Sequence, residues 1–307
     1  MVASFGQGLA ISALSTADLD GAQALVAEAG WNQVRADWEL FSELGAAFKV
    51  TAVDGEVAAT AATLPFARFA WISMVLVAKL HRRQGIATVL LEHCIAHLRA
   101  HGLVPVLDAT PAGRAVYRPL GFQDGWPITR WRRVEGIVIA GLTRNPSRNA
   151  DSFEAWIPES ESAAITVRAL REDDWPELLA LDEKAFGAAR VAVLRRLESR
   201  SRGFACVAER DGRVAGYLLG RDGRQATQVG PIVALDQGVA KVLLAHALAQ
   251  IDGPVLIDVL DGHTGLPPAL TAAGFAVERS YTRMTLDSDA AFGDANLMVA
   301  IAGPELG

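Results

Sequence analysis

The chain has 307 residues, 51% of them hydrophobic and 21% charged, with a net charge of −6. That is a globular composition with room for two ordinary domains, and an acidic chain without a basic run argues against a nucleic-acid or anionic-membrane surface. No apolar run approaches membrane-spanning length and no basic-then-hydrophobic leader is visible, so a cytoplasmic protein, monomer or homodimer, is expected.

Residues 9–14 read as an edge strand. Ser15 and Thr16 offer an N-cap to a helix whose apolar side is Leu19, Ala22, Leu25 and Val26 and which Gly30 ends. After Trp31-Asn32 a second helix is expected over residues 34–44. Residues 48–53 and 56–63 read as strands joined at Asp54-Gly55, a hairpin signal. Residues 72–77 are a short apolar run, as in a strand covered on both faces. Arg82-Arg83-Gln84-Gly85-Ile86-Ala87 follows, and Val89, Leu90, Cys94 and Leu98 then fall at helical spacing up to Gly102. A strand feeding a glycine turn at a helix N-terminus aims backbone N–H groups, and the positive end of the helix dipole, at one spot. With two arginines beside it, that spot suits a pyrophosphate. His93, His97 and His101 form one stripe along the apolar side of this helix and read as core or boundary residues, since zinc sites normally close with ligands from more than one element; no metal is expected. Residues 105–109 predict the next, parallel strand. The two cysteines, Cys94 and Cys206, read as buried thiols.

The loop from Arg82 to Ala87 resembles the Arg/Gln-x-x-Gly-x-Gly/Ala pattern of the GNAT family of acetyl-CoA-dependent N-acyltransferases. The stretch from Ala112 to Phe122, with Tyr117 four residues before Gly121-Phe122, is similar to that family's second signature. The resemblance implies a mixed α/β fold, mostly antiparallel with helices on both faces. It implies that acetyl-CoA is held by the backbone of Val75, Leu76 and Val77 and by Arg82, Arg83, Gln84, Gly85, Ile86, Ala87 and Thr88, and that a strand amide polarises the thioester. Tyr117 would be the general acid for the departing thiolate, and a phenol suits that task because its pKa is about 10. Asp108 stands where it either serves the attacking amine or caps the turn at Thr110-Pro111. Trp31, Asn32 and Asp37 fall in the region that lines the family's acceptor pocket, or else form a helix cap with one anchoring tryptophan and a solvated aspartate. Lys79 and Thr110 depart from the family's usual proline and asparagine.

From residue 136 to about 164 the periodicity fails, and at Ile165 it starts again. Ala13-Leu14 recurs as Ala169-Leu170, 156 residues on; Gly121-Phe122 recurs as Gly274-Phe275 and Thr129-Arg130 as Thr282-Arg283, both 153 on. Three residues are therefore missing from the second loop, where Leu235 and Asp236 replace the arginines and Leu270 replaces Tyr117. The expectation is a tandem GNAT-like protein: a catalytic domain over 1–136, a linker over 137–164, a degenerate copy over 165–287 and a tail over 288–307, whose residues 297–301 either add a strand or pack on a domain. Its activity would be acetyl transfer to the primary amine of a small molecule. The rival is a non-catalytic acyl-CoA-binding or sensing protein, which has no need of a phenol at 117.

Overall fold

The structure, a computed structural model, describes residues 10–134, 165–201, 203–288 and 292–307. The stretch read as a linker lies outside the described residues. The first half runs β1 (Ala10–Ala13), α1 (Leu19–Ala29), α2 (Arg35–Leu44), β2 (Ala46–Thr51), β3 (Val57–Phe66), β4 (Phe69–Val77), α3 (Ile86–Ala100), β5 (Val104–Ala109), α4 (Pro111–Tyr117) and β6 (Gln123–Arg133). The second repeats that order as β7 (Ile165–Ala169), α5 (Trp175–Phe186), α6 (Val191–Arg200), β8 (Cys206–Arg210), β9 (Arg213–Arg221), β10 (Thr227–Ala234), α7 (Gln237–Leu248), β11 (Val255–Leu260), α8 (Leu266–Ala272) and β12 (Ala276–Thr285). The repeat seen in the sequence is thus a repeat of elements. A last strand, β13 (Met298–Ile301), follows.

Local chemistry explains the elements. α1 buries Leu19, Ala22, Leu25 and Val26 and stops at Gly30 in the left-handed region, φ 70°. The β2–β3 hairpin turns at Gly55, φ 91°. α3 buries Ile86, Leu90, Leu91, Cys94, Ile95 and Leu98 against the sheet. His93 and His97 lie edge-on to Phe48, with ring centroids 4.5 and 5.3 Å away, and burial holds both imidazoles below their ordinary pKa.

The thirteen strands among the described residues join one sheet, in the order β1-β2-β3-β4-β5-β12-β6-β11-β13-β10-β9-β8-β7. The halves have exchanged their closing strands. β12, from the second half, pairs antiparallel with β5 of the first, and β6, from the first, pairs antiparallel with β11 of the second. Packing follows the exchange: Met284 and Leu286 bury in the cluster under α3, and Trp131 buries in the cluster under α7. Within the segment expected as a tail, Met298–Ile301 forms β13 and sets it between β10 and β11, with all four residues buried. Among the described residues no helix is long and apolar enough to cross a membrane.

Cys94 and Cys206 are both buried, and burial pushes each thiol up to about 12. Because the thiolate is the reactive form, a thiol-reactive dye should label neither cysteine in the native protein and both after unfolding. Fast native labelling would contradict that packing.

Candidate active site

β4 and β5 run parallel but pair only over residues 69–71 with 104–106. Beyond that they part, while β5 continues along β12 on its other edge from Val106 to Ala109. At the split β4 carries a bulge, with Met74 at φ 54° and its carbonyl accepting from Thr60 Oγ1. The split leaves one edge of β4 at Val75, Leu76 and Val77 without a strand partner among the described residues.

Below that edge lies a groove of about 690 Å³ lined by Val75, Leu76, Val77, Arg82, Arg83, Gly85, Ile86, Ala87 and Thr88. Of the loop residues expected there, Gln84 is the one not in its wall; its side chain donates to Leu80 O at 3.4 Å. Arg83 (φ 62°) and Gly85 (φ 79°) both adopt left-handed backbone, which turns successive N–H groups to one side. Gly85 is the N-cap of α3 and makes no side-chain cap, so the first N–H groups of the helix are left for a ligand. A Cβ on Gly85 would meet nothing within 4 Å, so that conformation and not crowding requires the glycine. The loop, the helix end and the free strand edge fit a pyrophosphate with an extended, amide-bearing arm.

A second cavity of about 340 Å³ adjoins the groove and shares Trp31, Val75, Ala87 and Val116 with it. Tyr117 and Asp108 line it. Thr110 caps α4 by accepting from Gly113 N, 3.1 Å. The Tyr117 ring lies so close to Gly113 that a Cβ there would come within 2.9 Å of it. Burial raises the Tyr117 phenol above its ordinary pKa. The Asp108 side chain is fully buried, and both its oxygens accept from Arg283 of β12, at 2.9 and 3.0 Å. Burial raises its carboxyl, and Arg283 pulls it back.

The three expected acceptor residues separate. Trp31 lines both cavities. Asn32 lines the smaller one, but its amide is spent on the second half: Nδ2 donates to Ala226 O, and Oδ1 accepts from Gln225 N and Ala226 N, all at about 3 Å. Asp37 does not line the cavity; it is fully buried, caps α2 through Val34 N and pairs with Arg200 and Arg221 at 2.7 and 3.0 Å. Its role is to join α2 to the second half.

Much of the cavity wall comes from residues that sequence reasoning did not single out. Arg130 of β6 makes a buried bidentate pair with Asp258 of β11, 2.7 Å on both arms. Arg132, Glu278, Tyr281, Pro304 and Glu305 complete much of the wall. Arg130–Asp258 and Arg283–Asp108 are cross-strand partners in register, each joining one half to the other. The recurrence of Thr129-Arg130 as Thr282-Arg283 was the visible trace of that arrangement.

The second half differs where the first is open. β10 and β11 pair over residues 227–229 and 255–257 and then part, but β13 fills the gap between them. Gly230 lets β13 in, since a Cβ there would lie 2.0 Å from Ile301 O. Asp236 caps α7 by accepting from Val239 N at 2.9 Å, so a carboxylate holds the place an anion would need.

Residues 19–122 match the acetyltransferase (GNAT) family model, and residues 178–298 match an acetyltransferase (GNAT) domain model. The uncharacterized N-acetyltransferase YitH of Bacillus subtilis is 26% identical over 258 residues, 84% of either chain. A candidate acetyltransferase of Pyrococcus horikoshii has a similar structure, with TM-score 0.75 and 19% identity over 99% of this chain and 98% of that one. A tandem GNAT protein from the clavulanic acid biosynthesis pathway superposes with TM-score 0.60 and 15% identity, over 90% of this chain and 98% of that one.

Proposed function

The chain belongs to the GNAT acetyltransferases through both of its halves, and we propose that its first half transfers an acetyl group from acetyl-CoA to the primary amine of a small molecule held between the halves. The observation that carries this reading is the junction of the groove under β4 with the cavity that Tyr117 lines. Acetyl-CoA supplies the acyl group as a thioester, so attack by the neutral amine forms the amide, expels the CoA thiolate and gives up the amine's proton to water or a base. The unpaired edge at Val75, Leu76 and Val77 would bind the extended arm as an added strand, and a backbone N–H at the split would polarise the thioester oxygen. The Gly85 turn with Arg82 and Arg83 would take the pyrophosphate. Holding both reactants in adjoining spaces supplies much of the rate. Tyr117 would protonate the departing thiolate. Asp108, with both oxygens on Arg283, serves better to shape the cavity than to accept a proton.

The first test is release of free CoA from acetyl-CoA in the presence of a panel of primary amines. Acetyl-CoA binding without CoA release for any amine would favour the binding or sensing alternative.

One cofactor site per chain is expected, because β13 and Asp236 occupy the second half's counterparts. Arg82→Ala should weaken acetyl-CoA about ten-fold or more, the usual worth of a charge-assisted phosphate contact. Calorimetric titration reads both quantities. Two equal sites, or unchanged affinity in Arg82→Ala, would overturn this assignment.

A further inference from the structure

Five buried side-chain polar atoms have no hydrogen-bond partner among the described residues, and three of them, Gln33 Oε1, Ser73 Oγ and Glu305 Oε2, belong to residues lining the smaller cavity. Such atoms are costly unless something pairs with them, so their concentration in one cavity points to a ligand there. Among the carboxylates in the wall, Asp108 has both oxygens on Arg283, and Glu278 has one on Arg132 and one on Arg279. Glu305 gives Oε1 to Arg221 and keeps Oε2 free. Arg221 is itself shared with Asp37, so it only partly offsets the Glu305 charge.

Glu305 is delivered by the segment after β13. Trp71 Nε1 donates to Pro304 O at 3.2 Å, Arg221 donates to Ala302 O, and Leu306 N and Gly307 N both return to Gly303 O at 3.0 Å. The tight turn leaves Glu305 only 3% exposed. A buried carboxylate oxygen can only accept hydrogen bonds, and the ligand that satisfies it best is a cationic donor.

We infer that Glu305 is the ammonium-binding group of the acceptor cavity, aided by Gln33 and Ser73, and that the acceptor enters as a cationic alkylamine, not an acid or a neutral alcohol, and gives its ammonium proton to water before the neutral amine attacks. This rests on the reading of the cavity as the acceptor site. The second half thereby contributes a binding residue to the first half's reaction, through a segment beyond the repeat.

Binding is the test, so that turnover is not needed to read it. With the protein saturated in CoA, 1,4-diaminobutane, 1,4-butanediol and succinate are compared by calorimetry, in wild type and in Glu305→Gln. The diamine should bind about ten-fold or more tighter than the diol, succinate should bind weakest, and Glu305→Gln should erase the preference while CoA affinity holds. Equal binding of diamine and diol, or a preference that survives Glu305→Gln, overturns the inference. Should Glu305→Gln fail to fold, Gln33→Leu carries the test, because the side-chain oxygen it removes has no partner among the described residues. Diamine binding should then fall several-fold, and unchanged binding counts against the inference. A cation preference that depends on Glu305, without CoA release for any amine, supports Glu305 as an ammonium-binding group and overturns both the acetyl-transfer reading and the acceptor role. CoA release without a cation preference does the reverse.

Discussion

Tyr117→Phe is expected to lower kcat about a hundred-fold or more while acetyl-CoA affinity stays nearly unchanged, as for a general acid that acts on the leaving group. The substitution keeps the ring, and with it the packing over Gly113 and the 6.1 Å approach to Phe122, so folding should be spared. Burial raises the phenol above its ordinary pKa, so the donor stays protonated across the neutral range. The sign follows: wild-type kcat should fall through loss of this proton only above about pH 10, the ordinary tyrosine value. Turnover against pH, with calorimetry for acetyl-CoA, checks both parts. Wild-type turnover in Tyr117→Phe, with chemistry as the slow step, would remove Tyr117 from the reaction.

Arg283→Met should cost about 3–5 kcal/mol of stability, because it leaves Asp108 as an unpaired buried charge. Arg283 also lies over the Trp71 ring, 4.4 Å from its centroid, and 5.2 Å from that of Trp126, so some packing is lost as well. Adding Asp108→Leu should recover much of the loss, since an ion pair replaced by apolar groups of similar volume is often neutral. In Arg283→Met burial and the nearby Asp258 charge act on Asp108 unopposed, raising its folded pKa further above the unfolded value. A carboxyl raised in the folded state stabilises fully below its unfolded pKa, about 3.9, and less as pH rises toward the folded value. The penalty should therefore be larger at pH 7 than at pH 5. Chemical denaturation of both variants at the two pH values measures this. A loss under about 1 kcal/mol for Arg283→Met would mean that water or a neighbouring group satisfies Asp108.

The element order through β5, the loop at Arg82 to Ala87, the tyrosine before Gly121-Phe122 and the repeat were all legible in the sequence, because each rests on interactions between residues near in the chain. The apolar face of α1, the left-handed glycines at 30 and 55 and the turn at Gly85 are local choices of backbone and periodicity. Strand partnership is not local. β6 and β12 are copies that carry Thr-Arg at the same place, so either could close either half; the sheet's alternation constrains register but not which copy a strand belongs to. Only the tertiary structure decided that they cross over, which put Arg283 on Asp108 and Arg130 on Asp258. It likewise decided that residues 298–301 plug the second split, that Asn32 and Asp37 join the halves, and that Glu305 reaches the cavity from beyond the repeat. A polar side chain shows its chemistry in the sequence, but whether it is spent on a partner or left for a ligand depends on which distant strand folds against it.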